Sequence, residues 1–451
     1  MAWQHTLEEL ARVIGAAPPG VTGSFGSIST DTRAIRTGDV FFALAGERFD
    51  GNAFVPEALA AGACAAVTRI AGEPGPRLVV DDPLAALQAF AGYHRRRYSI
   101  PLIALTGSCG KTMTKDLTAA VLASKYRVLK TQGNLNNEIG CPLSLLRLDE
   151  TTERAVIEMG ANHGGEIARL CEMARPTESA ITLVAPAHLE GFGRIENVAA
   201  AKAEIVDALG GSGTFYVNTD DAWCVRIAER HAGRKIRFGR SGDVALRRCA
   251  VEDDGMMRLS VSPVGDLRLP VACRAHVTNV LLAIAVGIEH GIERFDTPLA
   301  EALRSSSRFR LIAIGPLSVI DDTYNANPAS MAAALDALAE RRTDGVRIAA
   351  LGEMRELGDA APQLHRELGQ RAAEAGIDHV FAYGPHADDI VAGARANGIG
   401  NARSFEHHDA IAHAVVDAAG SHALLLVKGS RGVTMEKVIE ALRRHYAPRE
   451  T

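Results

Sequence analysis

The segment Thr106-Gly107-Ser108-Cys109-Gly110-Lys111-Thr112 constrains the fold more than any other stretch of the chain. It follows the apolar run Pro101-Leu102-Ile103-Ala104-Leu105 and opens a helical pattern, the strand, loop and helix order of a phosphate-binding loop. Glycines let backbone N–H groups turn toward a phosphate, and the helix N-terminus adds positive potential. Lys111 supplies a full charge, and the Thr112 hydroxyl can ligate Mg²⁺. The ligand predicted from this context is a nucleoside triphosphate. Strict Walker A spacing needs glycine at 105, where this chain has leucine, so the loop is a variant form. A plain glycine turn is the alternative.

Around this loop, buried-type strands alternate with helices, which predicts an α/β protein with a parallel sheet. Ala155-Val156-Ile157 precedes a helix from Gly165 to Met173, and the run from Ala180 to Val184 precedes one from Asn197 to Leu209. Upstream, Val40-Phe41-Phe42-Ala43-Leu44, Ala65-Ala66-Val67 and Leu78-Val79-Val80 are short strands separated by Gly, Asp and Pro turns, the pattern of a small α/β domain. Thr6-Leu7-Glu8-Glu9 has capping-box spacing and predicts a first helix rather than a leader. Between Val244 and Val271 charges interrupt the pattern, as in a few antiparallel strands, before a helix from Val277 to His290. A boundary is expected near Ser305-Ser306-Ser307. Beyond it, strands at Leu317 to Ile320, Ile348 to Leu351, His379 to Tyr383 and Ala423 to Val427 predict a Rossmann-like domain. The expected domains are residues 1–97, 98–306 and 307–451.

Composition narrows the function. With 451 residues, 47% of them hydrophobic, the chain can bury several cores. A net charge of -5 without a basic stripe argues against nucleic acid as partner. No apolar run is long enough to span a membrane, and the seven cysteines never take CxxC spacing, so a reduced, cytoplasmic protein without structural zinc is expected. A three-domain chain of this kind is expected to be monomeric.

Two residues stand at strand ends, where ligands gather in open α/β sheets. Glu158 is a direct or outer-sphere candidate for Mg²⁺, and His188, in Pro186-Ala187-His188-Leu189-Glu190-Gly191, is a candidate imidazole ligand on the same edge. Taken alone, either is more often an ordinary loop or helix-cap group.

The order of further segments resembles the Mur ligases along nearly the whole chain. Ser29-Thr30-Asp31-Thr32-Arg33 and the stretch from Gly38 to Gly51 resemble the part that holds the UDP end of the substrate. Gly133-Asn134-Leu135-Asn136-Asn137-Glu138-Ile139-Gly140 resembles a loop facing the sugar-peptide and the phosphates. Asp321-Asp322-Thr323-Tyr324-Asn325-Ala326-Asn327-Pro328 and Lys428-Gly429-Ser430-Arg431-Gly432 resemble C-terminal motifs of the family.

The resemblance implies a fold of three domains: a small N-terminal domain for the UDP-linked substrate, a central P-loop ATPase-like domain and a C-terminal domain for the incoming amine. It implies ATP-dependent joining of D-alanyl-D-alanine to a UDP-N-acetylmuramoyl-tripeptide through an acyl phosphate, in peptidoglycan precursor synthesis. Gly107, Ser108, Cys109, Gly110, Lys111, Thr112, His276, Asn279, Arg308 and Asn325 would contact the nucleotide. Asp31, Thr32, Arg33, Asn134, Asn136, Asn137, Lys428 and Arg431 would contact the substrates, the last two through a dipeptide carboxylate. Lys202 would be carried as a carbamate. Of two Mg²⁺ ions, one would sit on Thr112 and Glu158, the other on His188 and Lys202. Lys111, Glu158, His188 and Lys202 are thus the expected catalytic set. From the helix pattern alone, Lys202 reads as a solvated lysine.

Several positions depart from the family pattern. Cys109 stands for the usual Asn, Met113 for Thr, Leu183-Val184-Ala185 for Asn-Ile-Gly, Ala275-His276 for a His-Asn pair, and Glu353 for Asp. They cluster around nucleotide handling. A thiol beside the phosphates predicts alkylation that ATP should slow. Three other readings follow: a paralogue joining a different acid and amine, a nucleotide-binding homologue without catalysis, and a small-molecule kinase.

Overall fold

The computed structural model describes residues 4–447 apart from 18, 19, 21, 47, 48, 72–74, 253, 254 and 307. Glu47 and Arg48 of the N-terminal motif, and Ser307 of the expected boundary, lie outside the described residues. Three main sheets organise the chain and follow one another along it: N-terminal, central and C-terminal.

The N-terminal sheet is parallel, with Ile28–Ser29, Val40–Phe42, Ala65–Thr68 and Arg77–Val79 side by side in that order. Val40, Phe41 and Phe42 are all buried, so apolar side chains go to both faces of this strand, as in a sheet covered on both sides. The predicted first helix is Leu7–Ile14, and the Thr6 side chain accepts from Glu9 N at 3.1 Å. Helix Pro83–Arg95 leads into the central part; its Asp82 cap accepts from Leu84 N and Ala85 N, and proline occupies the first turn, where its missing N–H costs nothing.

The central sheet has nine strands. Leu102–Thr106 lies between Arg154–Glu158 and Glu178–Ile181, with Val128–Lys130 outside the former and Thr214–Asn218 and Arg234–Gly239 beyond the latter, all parallel. The antiparallel strands expected after Val244 are present as Val244–Val251, Met257–Ser262 and Gly265–Leu269. They form no separate patch: Val244–Val251 pairs in parallel with Arg234–Gly239 and prolongs the same sheet. The charged strand Arg234–Gly239 left no apolar run to read, which hid this continuity.

In the C-terminal sheet, Leu317–Asp322, Ala423–Lys428, Val346–Gly352, His379–Tyr383 and Asn401–Phe405 are parallel, and Arg310–Ile314 is added antiparallel at the edge. Both edge strands escaped the sequence reading because an edge carries polar and exposed side chains; Leu311 is 50% exposed. Helices Pro328–Glu340, Ala361–Glu374, Ala387–Ala396, His408–Ala419 and Glu436–Tyr446 cover this sheet. Among the described residues, no helix is long and apolar enough to cross a membrane.

Candidate functional site

The loop after Leu102–Thr106 turns on two glycines that no other residue could replace. Gly107 has φ 151°, and a Cβ there would lie 1.8 Å from Thr182 Oγ1; Gly110 has φ 82°, and a Cβ would lie 2.6 Å from Asn279 Oδ1. Lys111 opens the helix Lys111–Ala123, and its Nζ donates to Gly107 O at 2.8 Å. Burial pulls the Lys111 pKa below the usual lysine range, with Glu158 acting in the opposite direction.

The segment Leu183-Val184-Ala185, atypical in its side chains, braces this loop through its backbone. Ser108 N donates to Leu183 O at 2.9 Å, Ser108 Oγ to Ala185 O at 2.8 Å, and Ala185 N to Ser108 Oγ at 3.0 Å. Main-chain contacts of this kind do not depend on which side chains the segment carries.

Glu158, 1% exposed, faces the loop from the neighbouring strand. Its Oε1 accepts from Asn136 Nδ2 at 2.7 Å and from Thr112 Oγ1 at 3.3 Å, whereas the buried Oε2 has no hydrogen-bond partner. Lys115 Nζ stands 3.9 Å from that oxygen. Lys115 was absent from the sequence reading, although its place one helical turn after Lys111 puts it on the same face.

A cavity of about 490 Å³ opens beyond the loop, within the size range of small-molecule sites. From the central domain, Ser108, Cys109, Gly110, Lys111, Thr112 and Glu158 line it, with Asn134, Asn136 and Asn137 on one flank and His188, His276 and Asn279 around the rest. Arg308, Asn325, Lys428 and Arg431 close it from the C-terminal side. Gly107 forms the turn behind the lining.

Three parts of the expected site have surroundings that the sequence did not show. Lys202, on helix Ile195–Asp207, is not solvated: it is 2% exposed, and it is not part of the cavity lining. Burial, reinforced by the charge of Lys111, pushes its pKa down to about 7. Asp31, Thr32 and Arg33 lie outside the cavity. Asp31 caps the turn Thr32–Ala34 and is held at a pKa of about 2 by hydrogen bonds from Arg33. Lys428 is 2% exposed, pairs with Asp322 and donates to Asn325 O at 2.8 Å, so its ammonium already shapes the Asp322 to Asn325 turn. The Arg431 guanidinium holds a surface pair with Glu436 at 3.0 Å, a contact of little strength that a ligand can displace, while its backbone N donates to Asn325 Oδ1 at 3.4 Å.

Cys109 reaches the cavity wall but is otherwise enclosed by protein. Burial raises its thiol pKa despite Lys428 and Lys111 nearby, which holds it as the poorly nucleophilic thiol. The alkylation expected from the sequence is thereby opposed. His276 packs edge-on against Phe309 at 5.5 Å, and burial pushes its pKa down to about 4, so it is a neutral imidazole.

The C-terminal domain touches the loop directly. Arg308 lies 3.5 Å over the Tyr324 ring, donates through Nη2 to Thr112 Oγ1 at 3.2 Å, and keeps a buried Nε without a hydrogen-bond partner. Asn327 Nδ2 donates to Ser108 O at 3.1 Å while its own Oδ1 caps helix Pro328–Glu340. His188, held at φ 52°, pairs through Nδ1 with Glu356. The contacts of Asn327 and Glu356 were not legible in the sequence: Asn327 closes the motif from Asp321 to Pro328 but meets Ser108 across 219 residues, and Glu356 belongs to no motif.

Among the described residues, no three His, Cys, Asp or Glu side chains form a ready cage for a metal. The Glu158 carboxylate, with Oε1 at the Thr112 hydroxyl and an Oε2 that accepts no hydrogen bond and has only the Lys115 charge 3.9 Å away, does suit a hard cation that takes its other ligands from phosphates and water, as Mg²⁺ does.

Comparison with known proteins bears on the family and the fold. Residues 24–93 match the Mur ligase family catalytic domain, residues 105–287 the Mur ligase middle domain, and residues 307–431 the Mur ligase glutamate ligase domain. The chain is 35% identical over 447 residues to the UDP-N-acetylmuramoyl-tripeptide--D-alanyl-D-alanine ligase of Escherichia coli (strain K12), spanning 97% of this chain and 98% of that one. The protein of the same name from Bacillus subtilis (strain 168) is 35% identical over 432 residues, 92% of each. A crystal structure of MurF from Acinetobacter baumannii superposes with a TM-score of 0.90 at 31% identity, covering 98% of this chain and 99% of that one. MurF ligase from Thermotoga maritima in complex with ADP gives a TM-score of 0.84 at 29% identity, over 93% and 97% of the two chains. With successive family domains along it and relatives this similar over nearly its full length, the chain belongs to the Mur ligase family.

Proposed function

We propose that this protein is an ATP-dependent ligase that joins D-alanyl-D-alanine to a UDP-N-acetylmuramoyl-tripeptide during peptidoglycan precursor synthesis in the cytoplasm. The observation that carries the reading is the single cavity in which the phosphate loop, Glu158 and the C-terminal Arg308 and Asn325 converge. In this reading residues 1–97 hold the UDP-linked acid, 98–306 the nucleotide and 307–451 the incoming amine, and one chain acts as a monomer.

A carboxylate resists attack by an amine because its charge repels the nucleophile and oxide is a poor leaving group. Transfer of the γ-phosphoryl group of ATP to the acid oxygen removes both obstacles. That transfer requires the phosphates to be held in line and their charge neutralised. Loop N–H groups, Lys111 and Arg308 supply the positive field, in a cavity where low dielectric strengthens it. Asn325, His276 and Asn279 shape the nucleotide side, and Asn134, Asn136 and Asn137 face the acid. The neutral amine then attacks the acyl phosphate, and the tetrahedral adduct expels phosphate. Arg431 is placed to pair with the dipeptide carboxylate, while Lys428 keeps the Asp322 to Asn325 turn in shape. Closure of the C-terminal domain over the loop excludes water that would hydrolyse the acyl phosphate.

Mg²⁺ held by Thr112 and Glu158, with a second ion on the His188 and Lys202 side, would neutralise charge on the phosphates. Lys202 suits a carbamate. With a pKa near 7, a large fraction is the neutral amine, which adds to CO₂ with loss of a proton and replaces a cation repelled by Lys111 with an anion attracted to it.

The test is mass spectrometry of the products formed from purified protein, ATP, Mg²⁺, UDP-N-acetylmuramoyl-tripeptide and D-alanyl-D-alanine. An amide product together with ADP and phosphate is expected. A folded protein that cleaves no ATP with any acid and amine would overturn the ligase reading, and turnover only with another pair would make the chain a paralogue.

A further inference from the structure

The contact between His188 and Glu356 joins two domains at two strained residues. His188 has φ 52° and Glu356 has φ 63°, left-handed conformations that side chains rarely adopt and that persist only where surroundings impose them. Such positions collect at functional sites.

The loop that carries Glu356 is fixed from within its own domain. Met354 N donates to His365 Nε2 at 2.8 Å, Arg355 N to Ser430 Oγ at 2.9 Å, and Ser430 N to Glu353 O at 3.0 Å. Across the interface, Glu190 N donates to Glu356 O at 3.1 Å, so backbone and side chain of Glu356 grip the same short segment of the central domain.

The orientation of the imidazole gives this grip a chemical consequence. The Glu356 carboxylate meets Nδ1 of His188. An imidazole that donates its Nδ1 proton to a carboxylate presents Nε2 as a bare lone pair, with the ring fixed in direction. His188 lines the cavity, whereas Glu356 is outside the lining. The carboxylate, 52% exposed, thus takes Nδ1 from outside the cavity lining and leaves Nε2 free of this contact.

We propose that Glu356 is a positioning residue for His188, delivered by the C-terminal domain, so that the cation site on the His188 side is complete only when the domains are together. This rests on the reading of His188 as a cation ligand. It ties metal affinity to domain closure without any direct contact between Glu356 and the ion. It also gives the loop at Glu353 a link from the amine side, through Ser430, to the cation side.

The experiment uses the full chain saturated with ADP and titrated with Mn²⁺, with free ion read by electron paramagnetic resonance. Wild type, Glu356→Ala, Glu356→Gln, His188→Ala and the double variant Glu356→Ala with His188→Ala are compared, each checked for an unchanged melting transition. Glu356→Ala is expected to weaken one class of bound Mn²⁺ about ten- to a hundredfold. Glu356→Gln, which keeps an acceptor for Nδ1, recovers part of that loss. In the His188→Ala background, Glu356→Ala has no further effect, because its influence runs through the ring. The proposal is overturned if Glu356→Ala leaves Mn²⁺ affinity unchanged, or weakens it equally with and without His188. If His188→Ala itself leaves Mn²⁺ binding unaltered, the reading of His188 as a ligand fails and the proposal falls with it.

Discussion

Arg308 Nη2 donates to Thr112 Oγ1 at 3.2 Å, joining the first residues of the C-terminal domain to the phosphate loop of the central one. The guanidinium is planar and lies over Tyr324, so its direction is set before any ligand arrives. Its buried, unpartnered Nε is a donor awaiting an anion.

Replacing Arg308 by alanine removes a charged donor to the phosphates, and hydrogen bonds to charged groups are worth about 2–3 kcal/mol. A fall in kcat/KM for ATP of roughly thirty- to 160-fold is expected, read from steady-state phosphate release. Lysine at the same position should restore little, since it lacks the flat fork that stacks on Tyr324. Activity equal to wild type in either variant would remove Arg308 from the nucleotide site.

Lys202 offers a direct chemical assay. Isotope-labelled bicarbonate should give a carbamate carbon signal in the NMR spectrum of wild-type protein and none in Lys202→Arg, whose guanidinium stays protonated. Because only the neutral amine reacts, and its pKa is about 7, the signal should grow as pH rises through neutrality and fade in acid. A signal of the same size in both proteins would place the carbamate elsewhere.

Cys109 should react slowly with iodoacetamide at neutral pH, because burial holds the thiol protonated. Peptide mass spectrometry over a time course should show modification no faster than at Cys64 and Cys249, which are partly exposed as Cys109 is, and ATP should slow it further. Cys109 modified first among the cysteines would mean that the loop opens far more than its contacts with Leu183, Ala185 and Asn327 imply.

Acid should loosen the junction between the N-terminal and central domains. His94 is fully buried, and its Nε2 meets Leu148 O at 2.9 Å, while burial lowers its pKa from 6.5 to about 4. Between those values the unfolded chain binds the proton and the folded one does not. The stabilisation is therefore complete above pH 6.5 and lost as pH falls toward 4, on the order of 3 kcal/mol in all. His94→Gln should flatten the fall of melting temperature across that interval; an acid dependence identical to wild type would assign it to other groups.

Much of the architecture was readable without coordinates because its signals are local. Glycines before Lys111 and Thr112 require a turn and a helix start whatever surrounds them, and apolar runs separated by helical periods describe a parallel sheet. The edge strands Arg310–Ile314 and Asn401–Phe405 escaped because solvent on one side removes that periodicity. The antiparallel strands after Val244 were foreseen as strands, yet their attachment to the central sheet depends on a pairing between Phe238 and Val244 that no pattern announces.

From its residues alone, then, this chain determined the phosphate loop and the succession of its three α/β parts, since each follows from backbone geometry and apolar pattern over a few residues; the other motifs were legible only through their resemblance to the family. Tertiary structure decided which charges meet. It placed Arg308 and Asn327 against a loop 196 and 219 residues earlier, took Lys428 for Asp322, buried Lys202 beside Lys111, and set Glu356 against His188. The physical reason is that contacts between distant segments have no period in the sequence, and desolvation, which sets the protonation of lysine, cysteine and histidine alike, exists only once the chain has folded around them.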